Sequence, residues 1–362
     1  MEHRVLKVLP ADVQSRLRSD VAITSVAQCV EELVLNSLDA GAVCIAIRLD
    51  LTTFTVQVVD NGTGISQDDL KLIGERYSTS KCQKLADLDN LEYFGFRGEA
   101  LASLRDISTA LEIHSRSRQS SMTYCKLFNH GKPVAVADSK YPRPCPGTTI
   151  TVHNLFYNLP VRQKNIFPTL ELERTRYRIE GISLINPSIS FSLRNDATGH
   201  ILLQTQKSNS ILTAFMYLFG GNLSKHLKPV AIDKELFHIE GYIGKDGYNK
   251  KLLQFVYVNN RLVLKTQVHK IVNKTMTNCI HFRRKVTKDV KSSTSGTSPR
   301  CMEKHPMFVI NIKCPLNIYD ITFDPKKTLV EFKDWETLTS AVETMVTDFL
   351  KSENLWYCTE SD

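Results

Sequence analysis

The segment EELVLNSLDAGA sets Glu32, Asn36 and Asp39 at i, i+4 and i+7, positions that share one face of an α-helix. An amide oxygen one turn from a carboxylate suits a magnesium ion that bridges phosphates, because Mg2+ takes few protein ligands and keeps water and phosphate oxygens around it. The carboxylate can then polarise a water for in-line attack on a terminal phosphate. The same spacing equally describes a polar, solvated helix face, so the triplet decides nothing alone.

Other segments could complete such a site. DNGTGI, starting at Asp60, follows the strand-like run TVQVV. An Asp at a strand end can accept a hydrogen bond from an adenine amino group, and Gly62 and Gly64 let the backbone approach a base closely. DNG is also an ordinary hairpin turn. In GFRGEAL two glycines frame a turn and a helix begins at once, the arrangement in which N–H groups and a helix N-terminus hold phosphates. Its candidate phosphate-loop positions are Arg97, Gly98, Glu99, Ala100 and Leu101. RYSTSK precedes it and offers Thr79, Ser80 and Lys81, while the polar stretch from Ser78 to Glu92 reads as a loop able to close over nucleotide. Thr148 opens the strand GTTITVH and puts a hydroxyl within reach of adenine; β-propensity alone also explains a Thr there.

The elements that would position these groups follow from periodicity. Val13 and Leu17 share a face of a short first helix. After Ser25, the residues Val26, Val30, Leu33 and Val34 recur at helical spacing, and Gly41 ends the run. Strands are expected at Val43–Leu49, Phe54–Val59, Leu111–Ser117, Thr123–Phe128, Thr148–His153 and Ser190–Asn195, with helices near Gln67–Gly74 and Gly98–Leu104. A polar break, QTQKSN, precedes a second pattern at Ile211–Phe219, Phe237–Ile243, Phe255–Val258, Phe308–Ile312 and Ala341–Leu350. We therefore expect a two-domain α/β protein, with domains at 1–206 and 207–355.

Composition agrees with a globular chain: 42% hydrophobic and 23% charged residues. No apolar run approaches the roughly 20 residues a membrane helix needs, and the first residues lack a secretory h-region. Nine cysteines stand singly with no CxxC pair, which suggests neither zinc nor a disulfide framework and fits a reducing compartment. The net charge is +8, which permits a polyanionic partner. From His281 to Pro306 there are seven Lys or Arg against two acidic residues. With the Ser/Thr-rich run inside it, this reads as a disordered basic loop, about 284–304, equally a linker or a DNA contact.

Taken together, ELVLNSLDAGA, DNGTGI, TSK, GFRGEALAS and GTTITVHNLFYNLPVR occur in the order and spacing of one family. The chain resembles the MutL family of DNA mismatch-repair ATPases, most closely its third eukaryotic branch. The likeness is strongest from Glu31 to Arg162 and resumes at FVYVNNRLV and YDITFDPKKTLVEF. It implies a GHKL-type ATPase sandwich followed by a ribosomal-protein-like α/β domain. It implies roles too: Glu32 as general base, Asn36 as Mg2+ ligand, and Asp60, Gly64 and Thr148 around adenine. Thr79, Ser80, Lys81 and Arg97 to Leu101 match the nucleotide lid and phosphate loop, and Lys327 matches a lysine reaching the γ-phosphate from the second domain. The cofactors implied are ATP and Mg2+. The partners implied are double-stranded DNA bound without sequence preference, a heterodimer with the first MutL homologue, and a MutS-type recognition complex, with a nuclear location. Arg162 and Arg261 are the DNA-contact candidates.

The departures matter. Ala27, Gln28 and Cys29 stand where most members carry Gly-Glu-Val, and Asp324 replaces a His before Pro325. Neither a DQHA-x2-E-x4-E run nor a Cys-Pro-His-Gly segment occurs, so the family's nuclease domain is expected to be missing from this stretch. GFRGEAL and NLFYNLPVR speak against a topoisomerase subunit, a chaperone or a histidine kinase of the same ATPase class. A scaffold that binds ATP and hardly hydrolyses it stays open.

Overall fold

A computed structural model describes residues 6–82, 84, 87, 93–278, 304–321 and 329–356. Lys327, Asp324, Pro325 and nearly all of the basic stretch lie outside these. The chain forms two compact units, 1–218 and 219–362, and the division falls beyond the polar break seen in the sequence, at the last turn of the helix Ile211–Phe219. No single described helix is long and apolar enough to cross a membrane.

The first unit begins with helices α1 (Ala11–Ala22) and α2 (Val26–Asp39), then strands β1 (Cys44–Asp50) and β2 (Thr55–Asp60). Helices α3 (Gln67–Leu72) and α4 (Ala100–Ile107) precede β3 (Ala110–Arg116), β4 (Tyr124–Asn129), β5 (Lys132–Pro133), β6 (Ala137–Asp138) and β7 (Gly147–His153). Helices α5 (Pro160–Lys164) and α6 (Pro168–Ile185) lead to β8 (Ser190–Asn195) and β9 (His200–Gln204). The strands form one sheet in the order β5-β4-β3-β7-β2-β1-β8-β9, with β6 on β4. The β1–β8 pair is parallel.

Alternation decides which face of this sheet is covered. Ile45, Ile47 and Leu49 of β1 are buried, as are Val56 and Val58 of β2, while the residues between them point away. Helices α2, α4 and α6 contact the strands. Val26, Val30, Leu33 and Val34 of α2 are at most 1% exposed, so this helix is clamped between the sheet and α6.

Sequence periodicity did not reveal α6, an 18-residue helix. Its buried side includes Glu171, Thr175, Glu180 and Ser183 beside Ile179, Ile182 and Leu184, so polar residues interrupt the apolar repeat that would have announced it. Those buried polar groups have partners. Thr175 donates to Glu171 O at 2.8 Å, and Arg176 donates to Glu180 at 2.7 Å.

The second unit contains α8 (Gly221–Ser224), reached after α7 (Ile211–Phe219), then β10 (Leu227–Lys234), β11 (Phe237–Gly244), β12 (Gln254–Val258) and β13 (Arg261–Val263). Next come α9 (Gln267–Met276), β14 (Phe308–Lys313), the short strands β15 (Tyr319–Asp320) and β16 (Glu331–Phe332), and α10 (Trp335–Ser352). Its main sheet runs β10-β11-β14-β12-β13, with β12 and β14 parallel. Helices α9 and α10 pack on each other and on the sheet.

Candidate nucleotide site

Helix α2 starts at a defined point. The Ser25 hydroxyl accepts the Gln28 N–H at 3.1 Å, a standard N-cap. Gln28 folds back, donating to Ala22 O at 2.7 Å and accepting the Thr24 N–H at 3.1 Å. The Glu171 carboxylate of α6 accepts the Ala27 N–H at 3.1 Å. Thus the stretch that departs from the family pattern has its own way of closing the helix end. One turn further on, Glu31 forms an ion pair with Arg178 of α6. Neighbouring side chains on a helix diverge by about 100°, so anchoring Glu31 on α6 turns Glu32 toward the side that Asn36 occupies. Glu32 is 8% exposed. Cys29, one turn back, is fully buried, and burial followed by the Glu32 charge pushes its thiol pKa far up.

The C-terminal half of α2 gathers two groups of residues. The first surrounds Asp60 at the end of β2. Its Oδ1 accepts the N–H of Gly62 at 2.8 Å and of Thr148 at 3.2 Å, and its Oδ2 accepts the Ser37 hydroxyl of α2 at 3.1 Å. Burial pushes the Asp60 pKa up, and the two backbone N–H groups pull it partly back. The Thr148 hydroxyl shares a 3.0 Å hydrogen bond with Ser115 Oγ, and the Ser115 hydroxyl in turn accepts the Ile65 N–H at 2.8 Å. Gly64 sits at φ +70°, and a Cβ there would lie 2.0 Å from Arg116 O. Only glycine lets the chain pass here.

The second group holds the GFRG turn. Lys81 Nζ donates to Asn36 Oδ1 at 2.9 Å and to Asp39 Oδ2 at 2.7 Å. Asp39 also accepts the N–H groups of Phe94 and Gly95, each at 2.9 Å. Gly98, at φ +61°, packs against Tyr77 and Ser78 so tightly that a Cβ would meet Ser78 O at 2.8 Å. Arg97 stacks over the Phe96 ring at 5.6 Å. Glu99 precedes α4, which opens with Ala100 and the half-buried Leu101. The Thr79 hydroxyl accepts the Lys81 N–H at 3.1 Å, and Ser80 is exposed.

So the structure brings Asn36, Lys81 and the GFRG turn together on α2, and Asp60, Gly64 and Thr148 beside them through Ser37. Sequence reasoning gave no role to Ser37, Ser115, Glu171 or Arg178. It had placed Asp39 on the right face without one.

The two DNA-contact candidates fall in different units. Arg162 donates to Ile23 O and Asp20 O, each at 3.0 Å, and lies over the Phe156 ring at 5.3 Å. It ties the α1–α2 connection to the segment after β7. Arg261 is 8% exposed. It follows the Asn259–Asn260 turn, where both residues have positive φ. Asn311 holds that turn, donating to Asn260 Oδ1 at 2.8 Å.

Comparisons with known proteins bear on the family. A family model described as histidine kinase-, DNA gyrase B-, and HSP90-like ATPase matches residues 23–144. A second, described as DNA mismatch repair protein, C-terminal domain, matches residues 215–351. DNA mismatch repair protein Mlh3 of Homo sapiens is 42% identical over 97% of this chain, and DNA mismatch repair protein MLH3 of Arabidopsis thaliana 32% over 94%. The chain spans about a quarter of the length of these two relatives (24% and 26%). A crystal structure of the N-terminal domain of a DNA repair protein superposes with a TM-score of 0.76 at 25% identity, covering 94% of this chain and 98% of that one. The Aquifex aeolicus MutL ATPase domain complexed with ADP shares the fold, with a TM-score of 0.57 at 21% identity over 81% of this chain and 93% of that one. With two family models in tandem and relatives aligned along nearly its whole length, the chain belongs to the MutL family of DNA mismatch repair proteins.

Proposed function

We propose that the first unit binds ATP with Mg2+ and hydrolyses it slowly, and that nucleotide drives dimerisation of the N-terminal region and clamping on duplex DNA. The observation that carries this is the convergence on α2 of a buried base-recognition carboxylate, Asp60, with an amide-oxygen group, Asn36, and a buried carboxylate, Glu32. Asp60 keeps acceptor capacity beyond its three donors and would take the adenine amino group, with Gly64 and Thr148 at its side. The GFRG turn, with Gly98 to Leu101 leading into α4, would present N–H groups to phosphates. Thr79, Ser80, Lys81 and Arg97 lie in the flanking segments as further phosphate donors.

Asn36 fits a magnesium site, because its Oδ1 already faces a cationic donor and a nucleotide would supply the remaining oxygens. When bound, the metal neutralises phosphate charge and orients the terminal phosphoryl group. Glu32 would take the proton of the attacking water at its carboxylate. Lys327, outside the described residues, would bring a cation from the second domain to the γ-phosphate. Glu32→Ala is expected to lower steady-state ATP turnover at least about a hundredfold while nucleotide affinity stays within about threefold. Equal turnover in wild type and variant, with binding intact, would replace the hydrolase reading by that of an ATP-liganded scaffold.

Helix α1 supports the dimerisation part. Val13, Leu17 and Val21 recur every fourth residue and are 38%, 55% and 55% exposed. The inward side of the same helix is polar: Arg76 donates to Ser19 Oγ at 2.7 Å and to Asp106 at 2.8 Å. An apolar stripe facing outward from a polar seat marks a surface that another chain covers. Leu17→Asp should abolish nucleotide-dependent association, measured by light scattering with a non-hydrolysable ATP analogue. Unchanged association would remove α1 from the interface.

Within this reading the dimer partner is the first MutL homologue, MutS-type complexes recruit the assembly, and the setting is nuclear mismatch repair or meiotic crossing-over. DNA contact rests on the overall charge of +8, which favours sequence-indifferent, salt-sensitive binding.

A further inference from the structure

Asp39 is the least exposed part of the α2 triplet's ion pair. Its side chain is 3% exposed and that of Lys81 20%. Three donors satisfy the carboxylate: Lys81 Nζ at 2.7 Å and the N–H groups of Phe94 and Gly95 at 2.9 Å each. The same ammonium donates to Asn36 Oδ1 at 2.9 Å. It thus stands between an amide oxygen and a carboxylate on one helix face, the place and charge that a small hydrated cation would take there. Gly95 closes over it: a Cβ at that position would lie 2.9 Å from Asn36 Oδ1 and 3.2 Å from Lys81 Nζ.

We propose that Asp39 is a further positioning residue of the nucleotide site, and that it parks Lys81 against Asn36 so that an internal ammonium holds the metal position until nucleotide arrives. The inference rests on the ATP reading above and adds an order to it. Two cations within bonding distance of one amide oxygen repel, and that repulsion is weakly screened where side chains are shielded from water. A divalent ion is therefore excluded while Lys81 is parked. Lys is suited to leave, because its charge is a point at the end of a flexible stem and phosphate oxygens offer it a stronger acceptor. Asp39 keeps the N–H groups of Phe94 and Gly95 whichever way Lys81 points, so the entry to the GFRG turn stays in place during the exchange.

The test is a Mn2+ titration of the full chain followed by electron paramagnetic resonance, without nucleotide and with a non-hydrolysable ATP analogue. Without nucleotide, Lys81→Met should bind Mn2+ at least about tenfold more tightly than wild type. Lys81→Arg, which keeps the charge, should behave like wild type, and adding Asp39→Asn to Lys81→Met should remove the gain. Equal nucleotide-free affinities in wild type and Lys81→Met would overturn the proposal. If Lys81→Met fails to fold by circular dichroism, Lys81→Gln carries the same comparison. Calorimetry with the analogue separates the two levels. Wild type that binds nucleotide, paired with a Lys81→Met that gains no Mn2+, sinks only the parked-lysine idea, whereas wild type that binds no nucleotide sinks the ATP reading beneath it.

Discussion

Arg178→Ala is expected to destabilise the first unit by about 3–5 kcal/mol and to reduce ATP turnover more than it reduces nucleotide binding. Glu31 and Arg178 have side chains 9% and 15% exposed, so removing the guanidinium leaves a carboxylate desolvated and unpaired. Arg174, one turn away on α6, already pairs with Glu171. Glu180 is acidic, its pKa pushed up by burial, and its nearby cation Arg176 is already paired with it. The loss should reach catalysis because Glu32 is the next residue along the same helix. A double variant, Glu31→Leu with Arg178→Met, should recover most of the stability, since a buried pair is replaced at much lower cost than it is broken. A double-mutant cycle on the urea midpoint, read by circular dichroism at constant slope, measures the coupling. A cost under about 1 kcal/mol for Arg178→Ala would place this pair with ordinary surface ion pairs.

Asp60→Asn should show opposite effects on binding and stability. Asn can keep an oxygen toward the Gly62 and Thr148 N–H groups, but it then aims an NH2 group at an incoming adenine amino group. Donor facing donor should weaken ATP binding about a hundredfold, roughly 3 kcal/mol. Stability moves the other way. Burial raises the Asp60 pKa in the folded state, so the native protein holds this proton over a range where the unfolded chain has lost it. Wild-type stability therefore falls as pH rises from the ordinary carboxylate pKa of about 3.9 through the raised folded value, and the full penalty stays above it. The amide does not titrate. The variant should melt higher than wild type at neutral pH, and its advantage should vanish as pH falls below the ordinary carboxylate range. Calorimetry and thermal melts at the two ends of that range check both halves. ATP affinity within about threefold of wild type would end the assignment of Asp60 to base recognition.

How much of this was legible depended on how local the cause was. Helix α2 was readable because its cap, Ser25, its apolar repeat and its terminating Gly41 all lie within the segment. The strands Ser190–Asn195 and Gly147–His153 were readable because alternation is a two-residue signal. The glycine turns were readable for a similar reason: the φ values at Gly64 and Gly98 are the ones that only glycine adopts easily. Causes that act between distant parts of the chain left no such trace. The Glu171 carboxylate meets the Ala27 N–H across 144 residues, and Arg178 meets Glu31 across the same packed helices. The packing of Arg162 and Arg261 was illegible for a related reason. A basic residue looks alike in sequence whether its stem lies along a surface or its charge is tied down inside. Asp39 was placed on its face but given no work, because two of its donors are main-chain groups, which no residue type advertises.

Both tryptophans, Trp335 and Trp356, belong to the second unit, so tryptophan fluorescence has no reporter on α2. Cys29 supplies what fluorescence lacks. It sits one turn before Glu32 with no exposed surface, and as a thiol held far from ionisation it can be alkylated only in molecules where α2 has come away from its bed. Its labelling rate is thus a clock for that excursion. Nucleotide that fastens α2 in place should slow the clock, and each variant discussed above acquires a kinetic signature independent of turnover.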